Sequence, residues 1–270
     1  MPLQILSLDP TPIHELTYQH AGPNGAVVTA QLPILLAKIA GLPPAIDALV
    51  CTSDLQGVEP AWLTQTTPRL IGECLADELA VLVSIMALPP ADRIGIILAG
   101  DLYAAPAANQ RGVSGDVRAV WTAFRRQFRW VAGVPGNHDR FGAAAEAAAF
   151  QQYEHQWYLD GGTYTIDTLT IAGIGGIIGN PEKPLRRSPE QYAKDLKRLL
   201  QSQPDVLVVH ESPALPERND LGSPIVRTLM DTFGCPLTVC GHSRWDEPFA
   251  ELPNGTQVIN VDSRVVMLVR

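Results

Sequence analysis

The tetrapeptide Gly136-Asn137-His138-Asp139 sets an amide, an imidazole and a carboxylate side by side, groups that bind metals or move protons. It does not stand alone. Upstream lie Asp54-Leu55-Gln56 and Gly100-Asp101; downstream lie His210 and Gly241-His242. Each follows a short apolar run readable as a buried strand, at the point where polar residues take over. In an α/β fold such positions gather at the carboxyl end of a parallel sheet, where ligands bind. Asp, Asn and His offer hard oxygen and imidazole ligands suited to Mn, Fe, Zn or Mg. The chemistry this set predicts is metal-assisted hydrolysis.

The elements that must carry these residues alternate along the chain. Residues 48–51 read as a strand feeding Asp54, 94–99 as a second ending at Gly100-Asp101, and 130–134 as a third delivering Gly136-Asn137-His138-Asp139. Residues 205–209 read as a strand ending at His210, and 236–240 as another ending at Gly241-His242. Between them, Leu70, Cys74, Leu75, Leu79 and Leu82 recur at helical spacing within residues 69–88. Ser114 is placed to cap a helix running to residue 128, residues 143–152 look helical from their alanines, and Ser188-Pro189 opens a helix to residue 200 with proline at its favoured first position. Residues 163–173 alternate like a hairpin. The Gly173-Ile174-Gly175-Gly176 run after it lacks both the full dinucleotide-binding glycine pattern and its helix. Residues 258–261 and 265–269 close the chain as strands. Residues 1–45 are the least regular; 31–40 carries a short helical pattern that Gly41-Leu42-Pro43-Pro44 ends. Alternating helices and strands with a β-rich end predict an α/β protein of two packed sheets flanked by helices.

Composition narrows the class. The chain has 270 residues and is 46% hydrophobic, enough for a well-filled core. No uninterrupted apolar run reaches the ~20 residues of a membrane span. The N-terminus lacks a signal peptide's basic and apolar regions, so the expected location is the cytoplasm. Four cysteines without C-x-x-C spacing suit a reducing compartment, with Cys51 and Cys240 at strand ends as buried thiols. A net charge of −8 argues against an extended nucleic-acid surface. It leaves room for a small phosphorylated substrate, because a bound metal dominates the field at short range.

The ordered series of motifs resembles the calcineurin-like metallophosphoesterases, whose pattern runs Asp-x-His, Gly-Asp, Gly-Asn-His-Asp/Glu, His, Gly-His-x-His. The likeness runs from about Ala48 to the C-terminus. It implies a four-layer αββα sandwich of two mixed sheets flanked by helices, with residues 46–270 as the domain. Because the first motif of that family usually lies near the N-terminus, residues 1–45 read as an added extension packed on the sheet or the cleft. The resemblance also implies a phosphoesterase acting on a monoester or diester through a metal-activated water. Asp101 would bridge two ions; Asp101, Asn137, His210 and His242 would hold one of them. His138 would face the substrate as a proton donor, with Asp139 orienting its ring.

Two departures from the pattern concern the other ion, expected at Asp54, residue 56, Asp101 and residue 244. Gln56 stands where the family has His and offers only a neutral carbonyl oxygen; Arg244 stands where the last His belongs and has no lone pair to give. One tightly bound divalent ion is therefore expected, with the second position weak or empty. Arg244 has two readings: a fork for two phosphate oxygens, or an ion pair with Asp54 left from a lost site. The rival to an enzyme is a non-catalytic binding or scaffold domain of the same fold. Tyr103 flanks a motif and could line the cleft or simply pack.

Overall fold

The computed structural model describes residues 1–63 and 67–270. In chain order its main strands are β1 (Gln4–Leu8), β2 (His14–Ala21), β3 (Val27–Ala40), β4 (Ala48–Ser53), β5 (Ile94–Leu98), β6 (Trp130–Gly133), β7 (Gln156–Tyr158), β8 (Thr163–Ile166), β9 (Leu169–Ile174), β10 (Val206–Glu211), β11 (Leu237–Gly241), β12 (Phe249–Glu251), β13 (Gln257–Asn260) and β14 (Arg264–Val269). The α-helices are α1 (Ile71–Ile85), α2 (Arg118–Gln127), α3 (Ala144–Phe150), α4 (Pro189–Gln201) and α5 (Pro224–Phe233).

An eight-stranded sheet runs β1-β3-β14-β4-β5-β6-β7, with β2 also paired to β3; a six-stranded sheet runs β8-β9-β10-β11-β13-β12. The strands that feed the motifs, β4, β5 and β6 in the first sheet and β10 and β11 in the second, pair in parallel within each sheet. Strand β4 shows why the layers form. Its residues are buried on both faces: Ala48 and Val50 point to one apolar cluster, Leu49 and Cys51 to another. The same split recurs in β14, with Val265 and Met267 on one side and Val266 and Leu268 on the other. A strand apolar on both faces needs cover on both. One cover is the opposing sheet, through Ile171, Val208, Val239 and Ile259. The other is the helical layer of Leu75, Leu79, Trp121, Phe124 and Phe150. Tyr192, Leu196, Val226 and Met230 from α4 and α5 cover the second sheet in turn. The order of layers is αββα, as expected. No helix among the described residues is long and apolar enough to cross a membrane.

Three elements differ from the sequence expectation. Residues 31–40 lie within strand β3, not in a helix. Pro33 would deny a helix interior one amide, whereas here it faces Glu15 of β2, and residues 34–38 pair with β14. The C-terminal strand supplies the partner that the local pattern could not reveal. The helix expected from Ser114 starts at Arg118, because Gly115–Asp116 first pair with Asp139–Arg140 and the Asp116 carboxylate accepts the Arg118 amide at 3.0 Å. Helix α5 is additional to the expectation, though Ser223 caps it, Pro224 opens it and Gly234 ends it at φ 69°.

Candidate metal centre

Three of the motifs leave their strands through a tight reversal. Asp54, Asp101 and His242 have φ of 53°, 54° and 64°, a left-handed backbone that side chains rarely adopt. Each such residue costs on the order of 1–3 kcal/mol and persists only where its surroundings hold it. Here they do. The Asp54 amide donates to the Gly100 carbonyl (2.9 Å), and the Asp54 carboxylate accepts the His242 amide (2.9 Å). A Cβ on Gly136 would collide with the Asp101 carboxylate, and one on Gly100 with the Gly136 backbone. Glycine at both places lets the Gly100-Asp101 and Gly136-Asn137-His138-Asp139 loops interlock.

Asp139 fastens that interlock. Its buried carboxylate accepts the amides of Asp101 (2.9 Å), Leu102 (2.8 Å) and Gly136 (2.8 Å). Burial and the nearby Asp101 charge lift its pKa to about 6. The expected role, orienting the His138 ring, is thereby corrected: three backbone donors engage this carboxylate, and Ser114 Oγ lies 3.4 Å from His138 Nδ1 instead. His138 itself is half-buried, and its amide donates to Asp101 Oδ1 (2.8 Å).

Asp101, His210 and His242 bring potential ligand atoms within 4.8 Å of one another. His210 is fully buried; its Nδ1 donates to the Ala99 carbonyl (2.7 Å), which turns Nε2 toward Asp101 Oδ2 at 3.5 Å. The two imidazole rings lie 5.1 Å apart, centre to centre. Burial opposes a charge on His210, but Asp101 outweighs it and raises the pKa to about 10; burial and the neighbouring His210 push His242 down to about 4.

Whether these residues fit a metal is decided by the atoms left over. His210 Nε2 and Asn137 Oδ1 are buried without a hydrogen-bond partner among the described residues. A buried polar atom left unpaired costs about 1–3 kcal/mol, and a divalent cation, taking the place of the proton that Asp101 holds on His210, would satisfy both. The donor set fits a divalent metal ion.

The position expected for a second ion is built differently. Gln56 presents its amide, not its carbonyl: Nε2 donates to Asp101 Oδ2 at 3.0 Å, and an N–H group cannot ligate. Arg244 does not pair with Asp54; its Nη1 donates to the carbonyls of Asp262 and Ser263 at 3.1 and 3.0 Å. Asp54 accepts Ser53 Oγ (2.7 Å) as well as the His242 amide, and burial with Asp262 nearby drives its pKa well up. Asp262 belongs to this cluster and escaped the sequence reading. It follows the buried β13 just as Asp54 follows β4, so the same signal, an apolar run ending in Asp, marked it.

The family model for calcineurin-like phosphoesterases matches residues 48–244. The chain belongs to that family. Among solved structures, the protein TT1561 of Thermus thermophilus is 20% identical with a TM-score of 0.54, over 80% of this chain and 88% of that one. A hypothetical protein of the same organism is 17% identical (TM-score 0.45, 79% and 75% covered). A 5'-nucleotidase precursor, also from Thermus thermophilus, is 19% identical (TM-score 0.43, 80% and 48% covered). The first shares the fold; the other two are too distant to carry an argument. No curated protein matches the chain.

Proposed function

We propose that this protein is a metal-dependent phosphoesterase that hydrolyses a small phosphate monoester or diester at one divalent ion. The observation that carries the reading is the group of Asp101, His210 and His242, whose potential ligand atoms lie within 4.8 Å of one another, with the buried Asn137 Oδ1 left without a hydrogen-bond partner among the described residues. When bound, a divalent ion there would supply charge neutralisation at a phosphoryl oxygen and an acidified water. The chain's own residues do the rest. His210 is held in the tautomer that frees Nε2 by its bond to Ala99. Asp139 keeps the two ligand loops in register through their amides. His138, outside the ligand set and half-exposed, is placed to hand a proton to the leaving oxygen, with Ser114 near its other nitrogen. The location read from the sequence, the cytoplasm, belongs to the same proposal.

The rival, a metallophosphoesterase-like binding domain without catalysis, draws on the Gln56–Asp101 hydrogen bond, which occupies the bridging carboxylate. One set of variants separates them. Asp101→Asn or His242→Ala should lower bound Mn and hydrolysis of an aryl phosphate mono- or diester together. His138→Ala should keep the metal and lose about a hundredfold to ten-thousandfold in turnover. Unchanged metal content in the first two would remove the ligand assignment; a metal-loaded wild type that turns over neither ester would leave the binding domain as the answer.

A further inference from the structure

A cavity of about 180 Å³ opens beside the metal centre, touching Asp54 and Gln56. One wall comes from the N-terminal hairpin, through Tyr18 and His20 of β2; the facing wall is the 103–113 loop, with Tyr103 and Arg111. We propose that this hairpin gives the site its substrate selectivity, and that the cavity takes a single planar ring carried by the phosphorylated substrate. The inference rests on the phosphoesterase reading for the location of the phosphate, and on the hairpin itself for the ring.

The hairpin is built into the site and not merely laid near it. Gln19 exchanges backbone hydrogen bonds with Val58 (2.9 and 2.8 Å), and its side-chain carbonyl accepts the Ala61 amide at 3.0 Å. These bonds tie β2 to the segment that directly follows Asp54-Leu55-Gln56. Gly57 lies under the Tyr18 ring, where any Cβ would strike it. At the other end of the hairpin, a Cβ on Gly25 would reach the Asn109 carbonyl at 3.5 Å, so the turn meets the opposite wall. The hairpin thus bridges from the first motif to the 103–113 loop and encloses the space between.

What fits that space follows from its size and lining. At about 30 Å³ per water, it holds roughly six waters, the room of one ring and not of a dinucleotide or a peptide segment. Tyr18 and His20 present rings 5.5 Å apart and tilted by 32°, and Tyr103 adds a third ring to the lining. Aromatic faces with one or two polar tips favour a flat group with acceptor edges, and Arg111 brings guanidinium donors to the same lining.

The test is calorimetric titration of the Mn-loaded full chain with phenyl phosphate and with methyl phosphate. Phenyl phosphate should bind at least about tenfold more tightly. His20→Ala and, separately, Tyr18→Leu should cut that preference below about threefold while leaving methyl phosphate affinity and the melting temperature of His20→Ala unchanged. No ring preference in the wild type, or the same preference in both variants, overturns the assignment. Hydrolysis is scored separately. A ring preference without turnover of either ester sinks the phosphoesterase reading and leaves the pocket; turnover of both with equal KM does the reverse. Failure of both esters to bind overturns the two together.

Discussion

Gln56 donates to Asp101 Oδ2, the oxygen that a second ion would have to share. A neutral amide costs nothing to hold beside a carboxylate, whereas an imidazole in its place would offer a lone pair. Arg244 adds a fixed positive charge close by, anchored on the Asp262 and Ser263 carbonyls. A fixed guanidinium repels a second cation placed near it, so removing the amide alone leaves the repulsion in place. The wild-type chain should therefore retain about one tight Mn after gel filtration. Gln56→His with Arg244→His should retain two, and Gln56→His alone little more than one. Metal content by mass spectrometry checks this; a wild type carrying two ions, or a double variant still carrying one, would show that these residues do not set the count.

At the scale of elements, the two sheets are pinned at one edge by a single carboxylate. Asp167 sits in the two-residue turn between β8 and β9, where Asp167 and Thr168 take φ of 48° and 74°, the backbone of a type I′ hairpin turn. From there it reaches the first sheet. It accepts Arg129 Nε (2.6 Å) and Nη2 (2.9 Å), and Nε1 of Trp130 at the start of β6 (2.8 Å). The Arg129 hydrogen bond, with help from Trp130, holds the Asp167 pKa below the usual carboxylate value. A lowered pKa means the clamp is fully present above the unfolded carboxylate's ~3.9 and is lost as pH falls through the folded value below it. Asp167→Asn should cost about 1–2 kcal/mol at pH 7, the low end for charge-assisted bonds because Arg129 is partly in water. The difference in urea stability should shrink toward pH 3; a gap constant from pH 7 to pH 3 would rule the carboxylate out as its source.

That clamp also marks what the sequence could and could not reveal. The strands ending at Asp54, Asp101, Asn137, His210 and His242 were legible because each is local: a short apolar run, then a ligand type. Ser188 and Pro189 announced α4 for the same reason. Strand β3 was not legible, because its apolar residues mimic helical spacing and one of its partners, β14, lies more than two hundred residues away. Adjacency points Asp139 at His138, while two of the three amides its carboxylate accepts, those of Asp101 and Leu102, come from another loop. Asp262 carried a readable signal but matched no motif, so nothing drew the eye to it.

For the molecule as a whole, the proposed ion lies where the layers meet. Asp101 and Asn137 leave strands of the first sheet, His210 and His242 strands of the second. An ion held by all four would tie the two halves of the sandwich together, beyond the apolar contacts of Cys51, Ile97, Val208 and Val239. Binding to the folded state alone stabilises it by about 2.7 kcal/mol at a free concentration one hundred times Kd. At about 2–4 °C per kcal/mol for a chain near this size, Mn should raise the melting temperature by roughly 5–10 °C. Asp101→Asn should abolish the rise. Asp167→Asn, which loosens the sheets at a distant edge, should melt earlier but keep the full rise, since it leaves all four ligands in place. Differential scanning fluorimetry with and without Mn reads both. An equal shift in Asp101→Asn would put the ion elsewhere. A wild type indifferent to Mn, Fe, Zn and Mg would mean that the orphaned Asn137 and His210 atoms answer to something other than a metal.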